Sequence, residues 1–83
     1  MSYTIIISKS VQKQIDKLPD LIVFRIAEKL TELSLEPRLK GIVKLKGFEN
    51  QYRVRVGDYR IRYEIDDDNL LVKILQCKHR REI

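Results

Sequence analysis

The sequence predicts an α+β fold: an N-terminal strand and a helical hairpin packed on a largely antiparallel sheet. Three observations predict it. Residues 3–7, Tyr-Thr-Ile-Ile-Ile, are aromatic and β-branched. Residues 9–35 repeat their apolar positions at helical spacing. From residue 51 onward the pattern alternates with period two, broken by short polar turns.

Each element follows in order. Tyr3 to Ile7 reads as a short strand, and its three consecutive isoleucines predict burial on both faces. Ser8 or Ser10 offers an N-cap for a first helix near residues 9–18. Val11, Ile15 and Leu18 form its apolar side, with Lys13, Asp16 and Lys17 opposite. Pro19 ends this helix or opens the next, and Asp20 can cap a second helix over 20–35. Val23, Ile26, Ala27, Leu30 and Leu33 make the second stripe, and Pro37 stops it. After Gly41 the chain looks extended: Ile42–Lys46, Gln51–Val56, Tyr59–Ile65 and Leu70–Gln76 are strands. Gly57-Asp58 is a two-residue hairpin turn, and Asp66-Asp-Asp-Asn69 is a second turn. Cys77 to Ile83 is a basic segment of its own.

Composition narrows the class. Eighty-three residues suit one domain, 1–83. A 43% apolar fraction interleaved with 35% charge favours a folded chain over a disordered one. The single cysteine, Cys77, excludes an internal disulfide and a cysteine-rich metal site and fits a reducing, cytoplasmic setting. Residues 1–7 lack the basic and apolar regions of a signal peptide, and no apolar run reaches membrane-spanning length. The net charge of +5 points to an anionic partner.

That charge is concentrated in one place. Followed through the Gly57-Asp58 turn, strand alternation puts Tyr52, Val54, Val56, Tyr59, Ile61, Tyr63 and Ile65 on one side. Arg53, Arg55, Arg60 and Arg62 fall on the other. Like charges facing each other across strands repel, so such a face awaits a polyanion. The alternative is a solvated strand face with scattered ion pairs to Glu49, Asp58 or Glu64. Lys44 and Lys46 could extend a basic groove or serve as edge-strand lysines that discourage aggregation. His79 is the only histidine, and an ordinary imidazole titrates near neutrality, as proton transfer needs.

These residues carry a family resemblance across nearly the whole chain. The helical hairpin, Leu35-Glu-Pro37, Lys44-Leu-Lys-Gly47, the run from Tyr52 to Tyr63 and His79-Arg-Arg-Glu-Ile83 resemble the RelE/ParE superfamily of toxins from type II toxin–antitoxin pairs. Tyr52 to Tyr63 is the most specific stretch. The resemblance implies a compact toxin fold and a cognate antitoxin, a small protein with an acidic or amphipathic segment that covers the arginine face or displaces the C-terminal segment. RelE-like members cut messenger RNA in the ribosomal A site without metal or cofactor; ParE-like members poison DNA gyrase. The dense arginines favour the RelE-like reading. On that reading Arg60, His79, Arg53, Arg55 and Arg80 are the catalytic candidates. Lys44, Lys46, Arg62, Lys78 and Arg81 are the RNA-binding ones. One departure stands out: many RelE-like toxins carry a tyrosine after the last basic cluster, at the position following Ile83. Its absence leaves open a gyrase inhibitor or a non-catalytic RNA- or antitoxin-binding module.

Overall fold

A computed structural model describes residues 2–38 and 42–82. Gly41, where the extended half was expected to begin, and Ile83, which ends the last family motif, lie outside the described residues. The elements run β1 (Thr4–Ile7), α1 (Lys9–Asp16), α2 (Asp20–Leu35), β2 (Val43–Lys44), β3 (Gln51–Val56), β4 (Tyr59–Asp66), β5 (Leu71–His79) and a 3-10 turn (Arg80–Glu82). They form one five-stranded sheet in the order β1-β5-β4-β3-β2. The β1–β5 pair is parallel and the others antiparallel, in keeping with the expected α+β architecture.

Both helices cover the same face of the sheet: α1 packs on β5, and α2 lies across β3 and β1. The core is the helix-facing side of the strands, Tyr52, Val54, Val56, Ile61, Tyr63, Ile65, Val72, Ile74 and Cys77, closed by Val11, Ile15, Ile26 and Leu33. Val23 and Leu30, read as core positions, are only partly buried at its margin.

Several expectations are corrected by position in the fold. β1 is an edge strand whose outer face no helix covers, so Ile6 is 43% exposed instead of buried. Ser8, not Ser10, caps α1, accepting from the Val11 N–H at 3.3 Å. Pro19 occupies the N-cap of α2 without a side-chain bond. Asp20 sits inside the first turn, where its negative charge complements the positive end of the helix dipole. β2 has two residues instead of five, because the chain turns away at Lys46-Gly47, where Gly47 takes φ +83°. β5 runs three residues further than read, through His79.

One irregularity governs which residues share a face. Arg62 pairs with Gln76, but Tyr63 pairs with Ile74, so Leu75 is an extra residue in β5. Such a bulge inverts the alternation on one side of itself. Val72 and Ile74 face the core, and beyond the bulge so does Cys77, with Lys78 on the outer face.

At the end of the sheet remote from the hairpin tip, a polar clasp joins four separate pieces of chain. Arg38 donates to both carboxylate oxygens of Asp67 at 3.1 and 2.8 Å. Tyr3 donates its hydroxyl proton to the same carboxylate at 2.7 Å. Arg38 Nε reaches the Tyr52 hydroxyl at 3.3 Å, and the fully buried Tyr63 donates to the Pro37 carbonyl at 2.7 Å. The hydrogen bond from Arg38 holds the Asp67 carboxyl below the usual carboxylate range, with Tyr3 adding to it. Burial pushes the Tyr63 phenol well up.

Candidate functional site

The outer face of β3, β4 and β5 carries the site. The β3–β4 hairpin turns at Gly57-Asp58, where Gly57 takes φ +58° in the first turn position. Glycine enters that region without the steric penalty of a Cβ, and the two-residue loop fixes the register. Arg53 then lies directly opposite Arg62, and Arg55 opposite Arg60. On the other side of β4, Arg60 lies opposite Lys78. The central strand therefore holds Arg60 between two cations, and five positive side chains gather in this region of one face.

These charges are not neutralised locally. Among the described residues, none of the five forms an ion pair. Asp58 pairs with Arg80 at 3.8 Å, and Glu64 with Lys73 at 4.0 Å further along the sheet. The hydrogen bonds the arginines make leave charge to spare. Arg55 Nε donates to the Gly57 carbonyl at 3.2 Å, and Arg60 reaches the Tyr59 carbonyl at 3.5 Å. Arg62 donates through Nε at 2.8 Å and through Nη2 to the Gln51 amide oxygen.

Two adjoining depressions mark the groove. One, of about 270 Å³, is lined by Val43, Arg53, Arg55 and Arg60. The other, of about 100 Å³, is lined by Leu45, Arg53, Arg60, Arg62 and Gln76. Arg53 and Arg60 line both. Guanidinium forks matched to tetrahedral anion oxygens make such a groove suited to a phosphate backbone.

The remaining candidates divide. Lys78 joins the arginines. Lys44 does not: its register partner is Tyr52, so it faces the helix side, and Val43 takes the groove position. Lys46 lies exposed in the following turn. His79 pairs with Tyr59, on the face opposite the arginines, with its ring 5.2 Å from the Tyr59 ring in an edge-on contact. Its Nδ1 accepts from the Arg81 N–H at 3.2 Å. Arg80 stands at the hairpin end of the groove, where its N–H donates to the Asp58 carbonyl at 2.8 Å. Arg81 is exposed in the 3-10 turn.

Two groove-side residues escaped the sequence reading. Phe48, read only as loop, lies against the Arg62 guanidinium with 4.5 Å from Cζ to the ring centroid. Gln51 orients that same guanidinium. A lone aromatic after Gly47 in an otherwise polar loop was the available signal. Among the described residues, no group of three or more His, Cys, Asp or Glu side chains gathers to hold a metal ion. No helix among them is long and apolar enough to cross a membrane.

Comparison with known proteins places this geometry. Residues 5–83 match the family model described as ParE toxin of type II toxin–antitoxin system, parDE. Toxin RelG of Mycobacterium tuberculosis is 32% identical over 84 residues, covering 100% of this chain and 97% of its own. Toxin RelE3 of Methanocaldococcus jannaschii is 32% identical over 83 residues, covering 95% and 92%. In a crystal structure of the archaeal RelE–RelB complex from Pyrococcus horikoshii OT3, one chain superposes with a TM-score of 0.86 at 35% identity, covering 100% of both chains. The chain belongs to the RelE/ParE superfamily of type II toxin–antitoxin toxins, on its RelE-like branch.

Proposed function

We propose that this chain is a metal-independent endoribonuclease that cuts messenger RNA in the ribosomal A site and is held inactive by a cognate antitoxin. One observation carries the reading: Arg53, Arg55, Arg60, Arg62 and Lys78 share one region of a sheet face without ion pairs among the described residues, and the four arginines line its two adjoining depressions. In the proposed reaction a ribose 2′-oxygen forms a bond to the adjacent phosphorus, and the bond from phosphorus to the 5′-oxygen breaks. The 2′-hydroxyl proton passes to solvent. Arg53, Arg55 and Arg60 stabilise the extra charge on the phosphorane, a task suited to donors fixed before the charge develops. A guanidinium holds its proton too tightly to give it up. Lys78, opposite Arg60 on the same face, is then the cation that protonates the leaving 5′-oxygen. Arg80, released from Asp58, contacts a flanking phosphate. His79 has no part in this scheme, because Tyr59 and the sheet separate it from the groove.

An antitoxin partner is supported by the RelE–RelB complex this chain resembles. A second reading, inhibition of DNA gyrase, is favoured by the parDE description of the matching family model. Induced expression with mapping of mRNA 5′ ends separates the two. In-frame cuts on translated messages, with 2′,3′-cyclic phosphate ends and no sensitivity to EDTA, support the nuclease. Intact messages with DNA-damage signalling support the gyrase reading. Intact messages with normal growth leave a binding module.

A further inference from the structure

Phe48 is 46% exposed although one face of its ring is covered by the Arg62 guanidinium. An exposed aromatic ring in a loop ordinarily turns its flat face toward other apolar groups. Here it is fixed against a cation that is itself anchored, since Gln51 holds Nε and Nη2 of Arg62 in the guanidinium plane. The Arg62 guanidinium therefore sits over a ring that keeps nearly half of its surface open to solvent. Arg62 also lines the depression shared with Arg53 and Arg60, so the stack adjoins the proposed phosphate clamp.

We infer that Phe48 is a base-stacking platform for an unpaired nucleobase of the RNA whose phosphate lies in the arginine groove. The inference rests on the nuclease reading and names a contact which that reading lacks. Single-stranded RNA is held by pairing a cationic track for the backbone with aromatic faces for the bases. The groove supplies the first, and Phe48 supplies the second beside it. Arg62 serves both, as a cation toward the phosphates and as the rigid backing of the ring. Stacking tolerates any base, so this subsite fixes the strand without reading its sequence.

The test uses the full chain on ribosomes programmed with an mRNA in which each A-site nucleotide in turn is made abasic, with single-turnover cleavage at subsaturating toxin as the readout. Phe48→Ala and Phe48→Leu should each slow cleavage about five- to a hundredfold, and Phe48→Trp should stay near the unsubstituted rate. One abasic position should slow the unsubstituted chain by a similar factor and slow Phe48→Ala no further. Phe48→Leu keeps apolar bulk without a ring, so a normal rate in that variant overturns the stacking claim. Losses that multiply for Phe48→Ala at every abasic position also overturn it. Normal cleavage by Phe48→Ala with weakened antitoxin binding reassigns the ring to the antitoxin and overturns the inference while leaving the nuclease intact. No cleavage by the unsubstituted chain removes the nuclease reading and this contact with it.

Discussion

Arg60 lies between Arg55 on β3 and Lys78 on β5, so replacing it with glutamine should make the protein more stable while disabling it. Directly opposed residues in a sheet hold their Cβ atoms about 5 Å apart. Two unit charges about 6 Å apart in water repel by about 0.7 kcal/mol. Two such neighbours give Arg60 about 1.4 kcal/mol of repulsion before screening. Salt at 0.15 M, with a Debye length near 8 Å, removes roughly half. Against this stands the bond to the Tyr59 carbonyl, which at 3.5 Å is at the limit of a real hydrogen bond and contributes little. Arg60→Gln should therefore gain about 1 kcal/mol at low salt, or roughly 4–8 °C in Tm for a chain of this size. The gain should shrink steadily as NaCl is added. Inorganic phosphate should raise the Tm of the unsubstituted protein more than that of the variant, because a bound anion stabilises only the state that binds it. Cleavage should fall by about 10²–10³, the usual loss when one donor to a developing oxyanion is removed. The assay is thermal unfolding at several salt concentrations beside single-turnover cleavage. A variant that is less stable at low salt, with an unchanged salt dependence, would refute the view that these cations strain against one another.

Other consequences can be measured independently. Ile61 is fully buried at the centre of the sheet, and Ile61→Ala should lower stability by about 2–5 kcal/mol in urea unfolding. Tyr63→Phe should lower it by about 1–3 kcal/mol, because the Pro37 carbonyl then loses its donor inside the protein. Lys78→Arg keeps the charge but not the transferable proton, so it should bind RNA normally yet cut about 10²–10⁴ times more slowly, while His79→Ala should cut within a few-fold of normal. Asp67 has its carboxyl pKa depressed in the folded state, so its contribution is present above the unfolded value near 4 and fades as pH falls through the lower folded value. Urea midpoints of the unsubstituted protein and Asp67→Asn should accordingly differ at pH 7 and converge in strong acid.

The arginine face could be read from the sequence because nothing interrupts the alternation from Tyr52 to Tyr63 except a turn that preserves register. The helices were legible for the same reason: Val11 and Ile15, like Ile26 and Leu33, recur at the helical period and are buried. The C-terminal strand was legible as a strand, but not which face its last residues take, and Leu75 is the cause. Counting by twos from Val72 and Ile74 puts Lys78 in the core and His79 among the arginines. The bulge adds one residue and exchanges them. Nothing in Lys73-Ile-Leu-Gln-Cys77 advertises a bulge, since there is no glycine or proline to mark one. Lys44 failed for a related reason. An edge strand of two residues leaves too little alternation to fix its phase, and only pairing with Tyr52 decides it. The clasp of Tyr3, Arg38, Tyr52 and Asp67 joins residues that no local pattern connects.

The order of strands has a bearing on how the protein comes to be folded at all. β5 is the last strand along the chain, yet it lies inside the sheet, between β1 and β4. The arginine hairpin is local and can form early, within microseconds on the scale of isolated hairpins. The first strand has no neighbouring strand until residues 71–74 reach it. That closure links residues nearly seventy positions apart, and such long-range pairing is slow. On the ribosome that makes it, the nascent chain thus carries its cationic hairpin before it has a completed core. Lys78, which lies beside Arg60 on the same face, arrives with the closing strand itself. The groove is complete only when the fold is, so a partly made chain offers a strained set of charges and an open edge, but not a finished site.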